Sequence, residues 1–105
     1  ALGSPGGSAI LAYNAKALIG LLAWELPLQQ AIELPNLYAR GENFYGEETR
    51  FEPQVLYGLA SFGVTVKAGR GENSGLHGIL RRAPGEFQGA ADPRREGVWR
   101  TVSEP

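Results

Sequence analysis

The chain has no cysteine, no methionine and a single histidine, His77. Without cysteine there is no disulfide, no thiolate nucleophile and no zinc site built on sulfur. One histidine excludes a multi-histidine metal centre within these residues. Charge of either sign is also scarce in excess. Ten Lys and Arg against eleven Asp and Glu leave a net −1 and a pI near 5.8, with no electrostatic reason to expect nucleic acid. No apolar run is long enough for a membrane span. The longest, residues 9–24, covers about 24 Å as a helix against a hydrocarbon core of about 30 Å. It also contains Asn14 and Lys16. Nothing basic precedes it, so it does not read as a signal peptide. A start methionine could have been trimmed before Ala1, yet an opening of Ala-Leu-Gly also reads as a segment cut from a longer chain.

What is present is globular in character. Hydrophobic residues make up 43% and charged residues 20% of 105 positions, enough for one domain at most with a modest core. The chain is organised around residues 3–24, where Gly3-Ser4-Pro5-Gly6-Gly7-Ser8 runs into the apolar stretch Ala9 to Trp24. Ser8 is the expected N-cap, since its hydroxyl can accept a first-turn N–H. The turn then offers the N–H groups of Gly6 and Gly7 near a helix start, where the dipole favours negative charge. Such an arrangement can cradle an anion or oxyanion, and a hinge of this kind also occurs for structural reasons alone. The helix behind it is apolar almost all round, which predicts burial on every face.

Downstream, Pro27 suits the first turn of a second helix through Glu33, closed by Pro35. Asn36 to Ala39 reads as a short strand, Arg40-Gly41-Glu42-Asn43 as a turn, and Glu47 to Glu52 as an edge strand. Pro53 opens a third helix with Val55, Leu56, Leu59 and Phe62 on one face. Gly63 stands at its C′ position, and Val64-Thr65-Val66 follows as a strand. Residues 69–75 form a loop. Gly78 to Arg82 and Phe87 to Ala91 pair as a hairpin around Ala83-Pro84-Gly85-Glu86, whose Pro-Gly centre suits a type II turn. Asp92-Pro93-Arg94 ends the hairpin, and Trp99 is the one anchor of a polar tail. Arg-Gly-Glu-Asn recurs at 40–43 and 70–73 with unmatched flanks, as shared turn chemistry and not a repeat.

Other constellations favour structure over chemistry. Ser4, His77 and Asp92 have no spacing that supports a triad. Glu47, Glu48 and Glu52 lack a calcium-loop pattern and read as a solvated acidic edge. Gly3 to Ser8 has neither the lysine of a P-loop nor a dinucleotide fingerprint. Arg81 and Arg82 read as exposed hairpin residues, and Arg94 after Asp92-Pro93 reads as an active-enzyme residue or, in preference, a structural ion-pair partner. Tyr38, Phe44, Tyr45 and Trp99 look like core or interface aromatics, without the basic interleaving of a nucleic-acid surface.

Three stretches together resemble the γ-glutamyltranspeptidases, and specifically the C-terminal part of their small subunit. They are Gly3-Ser4-Pro5-Gly6-Gly7-Ser8 with its long helix, Pro27 to Pro35 with Ala31, and Gly89-Ala90-Ala91-Asp92-Pro93-Arg94. The likeness covers nearly the whole chain, so residues 1–105 read as one segment of that subunit. It implies an α/β (α+β) fold: a fragment of the N-terminal nucleophile (Ntn) hydrolase αββα sandwich, with a long buried N-terminal helix, mixed strands and a C-terminal hairpin. It implies an enzyme that cleaves γ-glutamyl amides, such as glutathione, through an N-terminal threonine outside these residues. The acyl group then passes to water or to an acceptor amine. Gly6 and Gly7 match the family's oxyanion hole through their backbone N–H groups, where glycine avoids a Cβ clash with the substrate carbonyl.

No cofactor or metal is implied. The implied partners are the rest of the parent enzyme and a γ-glutamyl substrate, with neither nucleic acid nor membrane. The 105 residues alone would be inactive and open to self-association, and the family's compartment is periplasmic or extracellular. A cephalosporin acylase-like relative is the alternative within the same class, because the residues that select the substrate lie outside this chain. The family's usual Ala-Pro-Arg reads Leu34-Pro35-Asn36 here, so an arginine role at that position does not carry over. The rival reading is a non-enzymatic α/β domain that binds a partner or small anion.

Overall fold

Proline and glycine set most element boundaries in the computed structural model, which describes residues 1–69 and 73–102. The chain divides into two compact units, Ala1–Leu34 with Asn73–Pro105, and Pro35–Glu72.

The first unit is a three-stranded antiparallel sheet with two helices. Its strands β1 (Leu2–Gly3), β5 (His77–Ala83) and β6 (Glu86–Ala91) lie in the order β1-β5-β6. Register is fixed by Gly3 opposite His77 and by Gly78 opposite Ala90. The hairpin between β5 and β6 forms around the expected residues, and Gly85 has the positive φ of 79° that a type II turn needs at its third residue. Gly78 lets Leu28 lie against the sheet: a Cβ there would sit 3.3 Å from either Leu28 methyl carbon.

A 3₁₀ turn (Gly7–Ala9) leads into α1 (Ile10–Leu18), which continues as a π-helical turn over Ile19–Ala23. Ser8 is not the N-cap. Gly6 caps the 3₁₀ turn and Ala9 caps α1, neither with a side-chain bond. Ser8 lies inside the 3₁₀ turn, and its side chain therefore does not stand at a helix boundary. Nor is the helix buried all round. Ala9, Tyr13, Ala17 and Gly20 form the buried stripe, while Leu11 is 83% and Leu22 70% exposed. The correction is geometric, because neighbouring elements cover only one face. Gly20 allows the closest approach: a Cβ there would stand 2.8 Å from Leu34 Cδ1 and 3.2 Å from Ala31 Cβ. The π turn closes with Glu25 at φ 55° and the Leu26 N–H on the Gly20 carbonyl at 2.9 Å.

Helix α2 (Leu28–Glu33) follows Pro27, which is its N-cap, and buries Leu28, Ala31 and Ile32. Leu34 is already extended at φ −53° and ψ 145°, as a residue before proline should be.

In the second unit β2 (Leu37–Arg40) and β3 (Asn43–Gly46) form an antiparallel hairpin, with Gly41 at φ 62° in its turn. Strand β4 (Val66–Ala68) runs parallel to β3, and α3 (Pro53–Ser61) makes the crossover that parallel pairing requires. Glu47 to Glu52 is not an edge strand, because Glu48–Arg50 is a 3₁₀ turn. The cause is local. The Glu47 N–H bonds the Asn36 carbonyl, its carboxylate accepts the Asn36 N–H at 2.7 Å, and the Arg50 N–H bonds the Glu47 carbonyl. The chain therefore turns at Glu47.

Helix α3 ends as the sequence predicts. Gly63 at φ 84° donates to the Ala60 carbonyl and Val64 to the Leu59 carbonyl, a Schellman closure. That bond uses the Val64 N–H, and the following strand begins only at Val66. The predicted apolar face is thinner than its spacing implies, since Leu56 and Leu59 are half-buried and Val55 and Phe62 are exposed. Residues 70–72, the first three of the second Arg-Gly-Glu-Asn and the centre of the 69–75 loop, lie outside the described residues.

Candidate functional site

The turn at residues 3–8 is held from several sides. Gly3 is paired to His77 across the sheet. The Ser4 hydroxyl donates to the Pro5 carbonyl at 2.7 Å and accepts the Gly75 N–H at 3.0 Å. Gly75 lies close under Pro5, where a Cβ would come within 3.0 Å of the proline Cγ. Gly6 is buried at φ 136°, and a Cβ on it would meet Tyr13 Cε2 at 2.5 Å. The need for glycine at position 6 therefore comes from inside the protein as well as from its backbone angle. Gly7, at φ 59°, opens the 3₁₀ turn. The Ala9 N–H takes the Gly6 carbonyl at 3.2 Å, and among the described residues no acceptor takes the Gly6 or Gly7 N–H. Two donors without a protein acceptor thus stand at the N-terminal, positive end of a helix.

Behind Gly75 lies a buried polar network. Asp92 is fully buried; its Oδ2 accepts the Ser74 hydroxyl at 2.5 Å and the Leu76 N–H at 3.2 Å. Its Oδ1 accepts the Arg94 N–H at 3.1 Å and Arg94 Nη1 at 3.0 Å. Burial pushes the Asp92 carboxyl up, but the Ser74 hydroxyl, the Arg94 and Leu76 N–H groups and the Arg94 guanidinium outweigh it and hold it below 3.8. Arg94 also donates to the Ile32 carbonyl at 3.2 Å and the Leu34 carbonyl at 2.9 Å. Lys16 Nζ reaches the same two carbonyls at 2.6 and 3.0 Å. Two cations thus close the negative end of α2. Arg94 is structural, as the sequence favours.

The structure gathers Ser4, His77 and Asp92 around residues 74–77 without making a triad. His77 Nδ1 is engaged with the Gly75 carbonyl at 3.0 Å, while Ser4 and Asp92 bond the partners given above. Among the described residues no three His, Cys, Asp or Glu side chains are grouped to hold a metal. Glu47 instead pairs with Arg50 at 3.6 Å. Tyr45 is buried against Tyr38 with ring centroids 5.8 Å apart, whereas Trp99 is half-exposed over Gly89. A groove of about 860 Å³ between the sheet and the tail is lined by apolar residues such as Ile79, Phe87 and Trp99. His77, Arg100 and Thr101 also line it.

Sequence reasoning misses Ser4 as the clamp of the turn, Tyr13 as the ring beneath Gly6, and Lys16 as a helix cap. Lys16 carries a faint signal, a lone cation in an apolar helix. Ser4 and Tyr13 carry none, because their partners lie 71 residues away and on the next helical turns respectively.

Helices on one face of an antiparallel sheet, with a glycine turn leading from an edge strand into a helix, fit one layer of an Ntn-hydrolase-type α/β fold. Solved structures share this architecture. Gamma-glutamyltranspeptidase from Pseudomonas nitroreducens complexed with L-DON matches 97% of this chain over 54% of its own, at TM-score 0.85 and 24% identity. The Bacillus anthracis transpeptidase CapD matches 97% over 63%, at TM-score 0.81 and 24% identity. A mutant of the Helicobacter pylori gamma-glutamyltranspeptidase matches 90% over 53%, at TM-score 0.74 and 20% identity. The chain spans about half the length of the Pseudomonas and Helicobacter chains. No curated protein sequence matches it significantly. The sequence profile of the gamma-glutamyltranspeptidase family matches residues 1–102, and the chain belongs to that family. Among the described residues no helix is long and apolar enough to cross a membrane.

Proposed function

We propose that residues 1–105 are the C-terminal segment of the small subunit of a γ-glutamyltransferase/glutathione hydrolase, and that they supply its oxyanion hole. The observation that carries this reading is the pair of N–H donors of Gly6 and Gly7 at a helix start, neither taken by a protein acceptor among the described residues, in a chain of this family. A threonine from outside these residues attacks the γ-glutamyl carbonyl. As the tetrahedral intermediate forms, negative charge grows on the carbonyl oxygen, and the two N–H groups receive it without reorganising. The C–N bond then breaks, the amine leaves with the proton given up by the threonine hydroxyl, and water or an acceptor amine displaces the threonine from the acyl group.

Gly6 and Gly7 are the site residues, the rest of the parent enzyme is the partner, and the segment alone is inactive. The exposed Leu11 and Leu22 fit a layer that other parts of the enzyme cover. The family supports placing the enzyme in the periplasm or outside the cell.

The test uses the full-length enzyme and a γ-glutamyl anilide. Gly7→Ala places a side chain on a φ of 59° and turns the donor away. A loss of about 10²-fold in kcat, at nearly constant KM, is expected for an oxyanion donor. Unchanged kcat overturns the assignment of the glycines. Absence of any turnover by the unaltered enzyme, with binding of a small anion or a protein, favours the non-enzymatic alternative.

A further inference from the structure

We infer that Tyr13 is a positioning residue for the Gly6-Gly7 donors, an inference that rests on the oxyanion reading above. Tyr13 is 2% exposed and sits in the first turns of α1, on the stripe shared with Ala9 and Ala17. Its ring edge fills the space where Gly6 would carry a side chain: Cε2, Cδ2 and Cζ lie 2.5, 3.1 and 3.7 Å from that position. The contact is therefore with the Gly6 Cα itself. A buried, planar side chain with two side-chain torsions is a rigid stop, and one side of the Gly6 peptide is fixed by it. The other side of the turn is fixed by the Ser4–Gly75 hydrogen bond and the pairing of Gly3 with His77.

Gly6, at φ 136°, is the residue whose torsions set the two N–H groups relative to each other, and glycine has no side chain of its own to limit them. Removing the ring leaves a void beside the most permissive backbone in the chain. The turn then samples orientations in which the donors miss the oxyanion. The effect is on the transition state and not on substrate binding, because the donors engage charge that appears only there.

The experiment compares kcat and KM for a γ-glutamyl anilide in the full-length enzyme and three variants. Tyr13→Leu is expected to lower kcat by about 10- to 100-fold, the scale of a misplaced catalytic group, with KM within about threefold. Tyr13→Phe keeps the ring edge and is expected to retain kcat within about threefold. Ile32→Val loses a methylene at a fully buried site of the same unit and is expected to leave kcat unchanged. Should Tyr13→Leu fail to accumulate, Tyr13→Met keeps the apolar volume without the flat ring and makes the same demand on kcat.

Unchanged kcat in Tyr13→Leu or Tyr13→Met overturns the proposal. Equal losses in Ile32→Val overturn it too, by showing general sensitivity to packing. If Gly7→Ala lowers kcat and the Tyr13 variants do not, only the positioning role fails. If Gly7→Ala has no effect, the oxyanion reading fails and Tyr13 falls with it.

Discussion

The two units bury their contents differently. In the unit built from residues 1–34 and 73–102, Leu76, Ala31 and Ile32 are fully covered, and a charged network at Asp92 is sealed with them. In the unit of residues 35–69, Tyr45 is the buried apolar side chain, and α3 buries none of its residues. Helix α3 has the clearer one-face pattern in the sequence and yet buries none of its residues, so periodicity does not decide burial. What differs is the number of elements that converge. In the first unit two helices meet a sheet, and polar groups drawn into their junction must be satisfied there. In the second a short sheet is held largely by backbone pairing, a turn at Glu47 and the Schellman closure.

Breaking the Asp92 network should show this contrast most strongly. Asp92→Ala leaves the Arg94 cation buried without its partner, and a destabilisation of about 3–5 kcal/mol is expected in chemical denaturation. A loss below about 1 kcal/mol would mean that the network is not a structural core.

The same carboxylate gives a pH test. Its folded pKa lies below the ordinary 3.8, so its contribution is full above that pH and is lost as pH falls through the depressed value. Melting temperature should therefore fall below about pH 3.8 in the native chain and fall less steeply in Asp92→Asn. Parallel curves for the two would sink this assignment.

Gly20→Val tests the approach of α1 to α2. Crowding Leu34 and Ala31 should cost about 1–3 kcal/mol, read by the same denaturation. In the second unit Gly63→Ala, at φ 84°, should cost about 1 kcal/mol. Phe62→Ser should change stability by no more than about 0.5 kcal/mol, because the ring is 87% exposed. A larger loss would show that α3 is covered in the native assembly.

Much of this was legible in local chemistry. Pro53, Gly63 and the Pro84-Gly85 turn mark boundaries because their effects act within a few residues. The Gly6-Gly7 turn is visible for the same reason, whereas the partner of Arg94, Asp92, is identified only by the structure. Ser8, Val64-Thr65 and Glu47 to Glu52 were misplaced where a nearby backbone bond redirected the chain. The long helix was misjudged because composition records apolarity and not which neighbours are available.

The sequence by itself determined the family, the turn chemistry and the glycines on which the proposed oxyanion site rests, since each depends on short-range sterics and residue type. Only the tertiary structure decided that Tyr13 lies under Gly6, that Ser4 ties the turn to Gly75, and that Lys16 and Arg94 meet at the end of α2. Those contacts join residues on different turns, strands and helices. Their partners are chosen by packing, which no local pattern specifies.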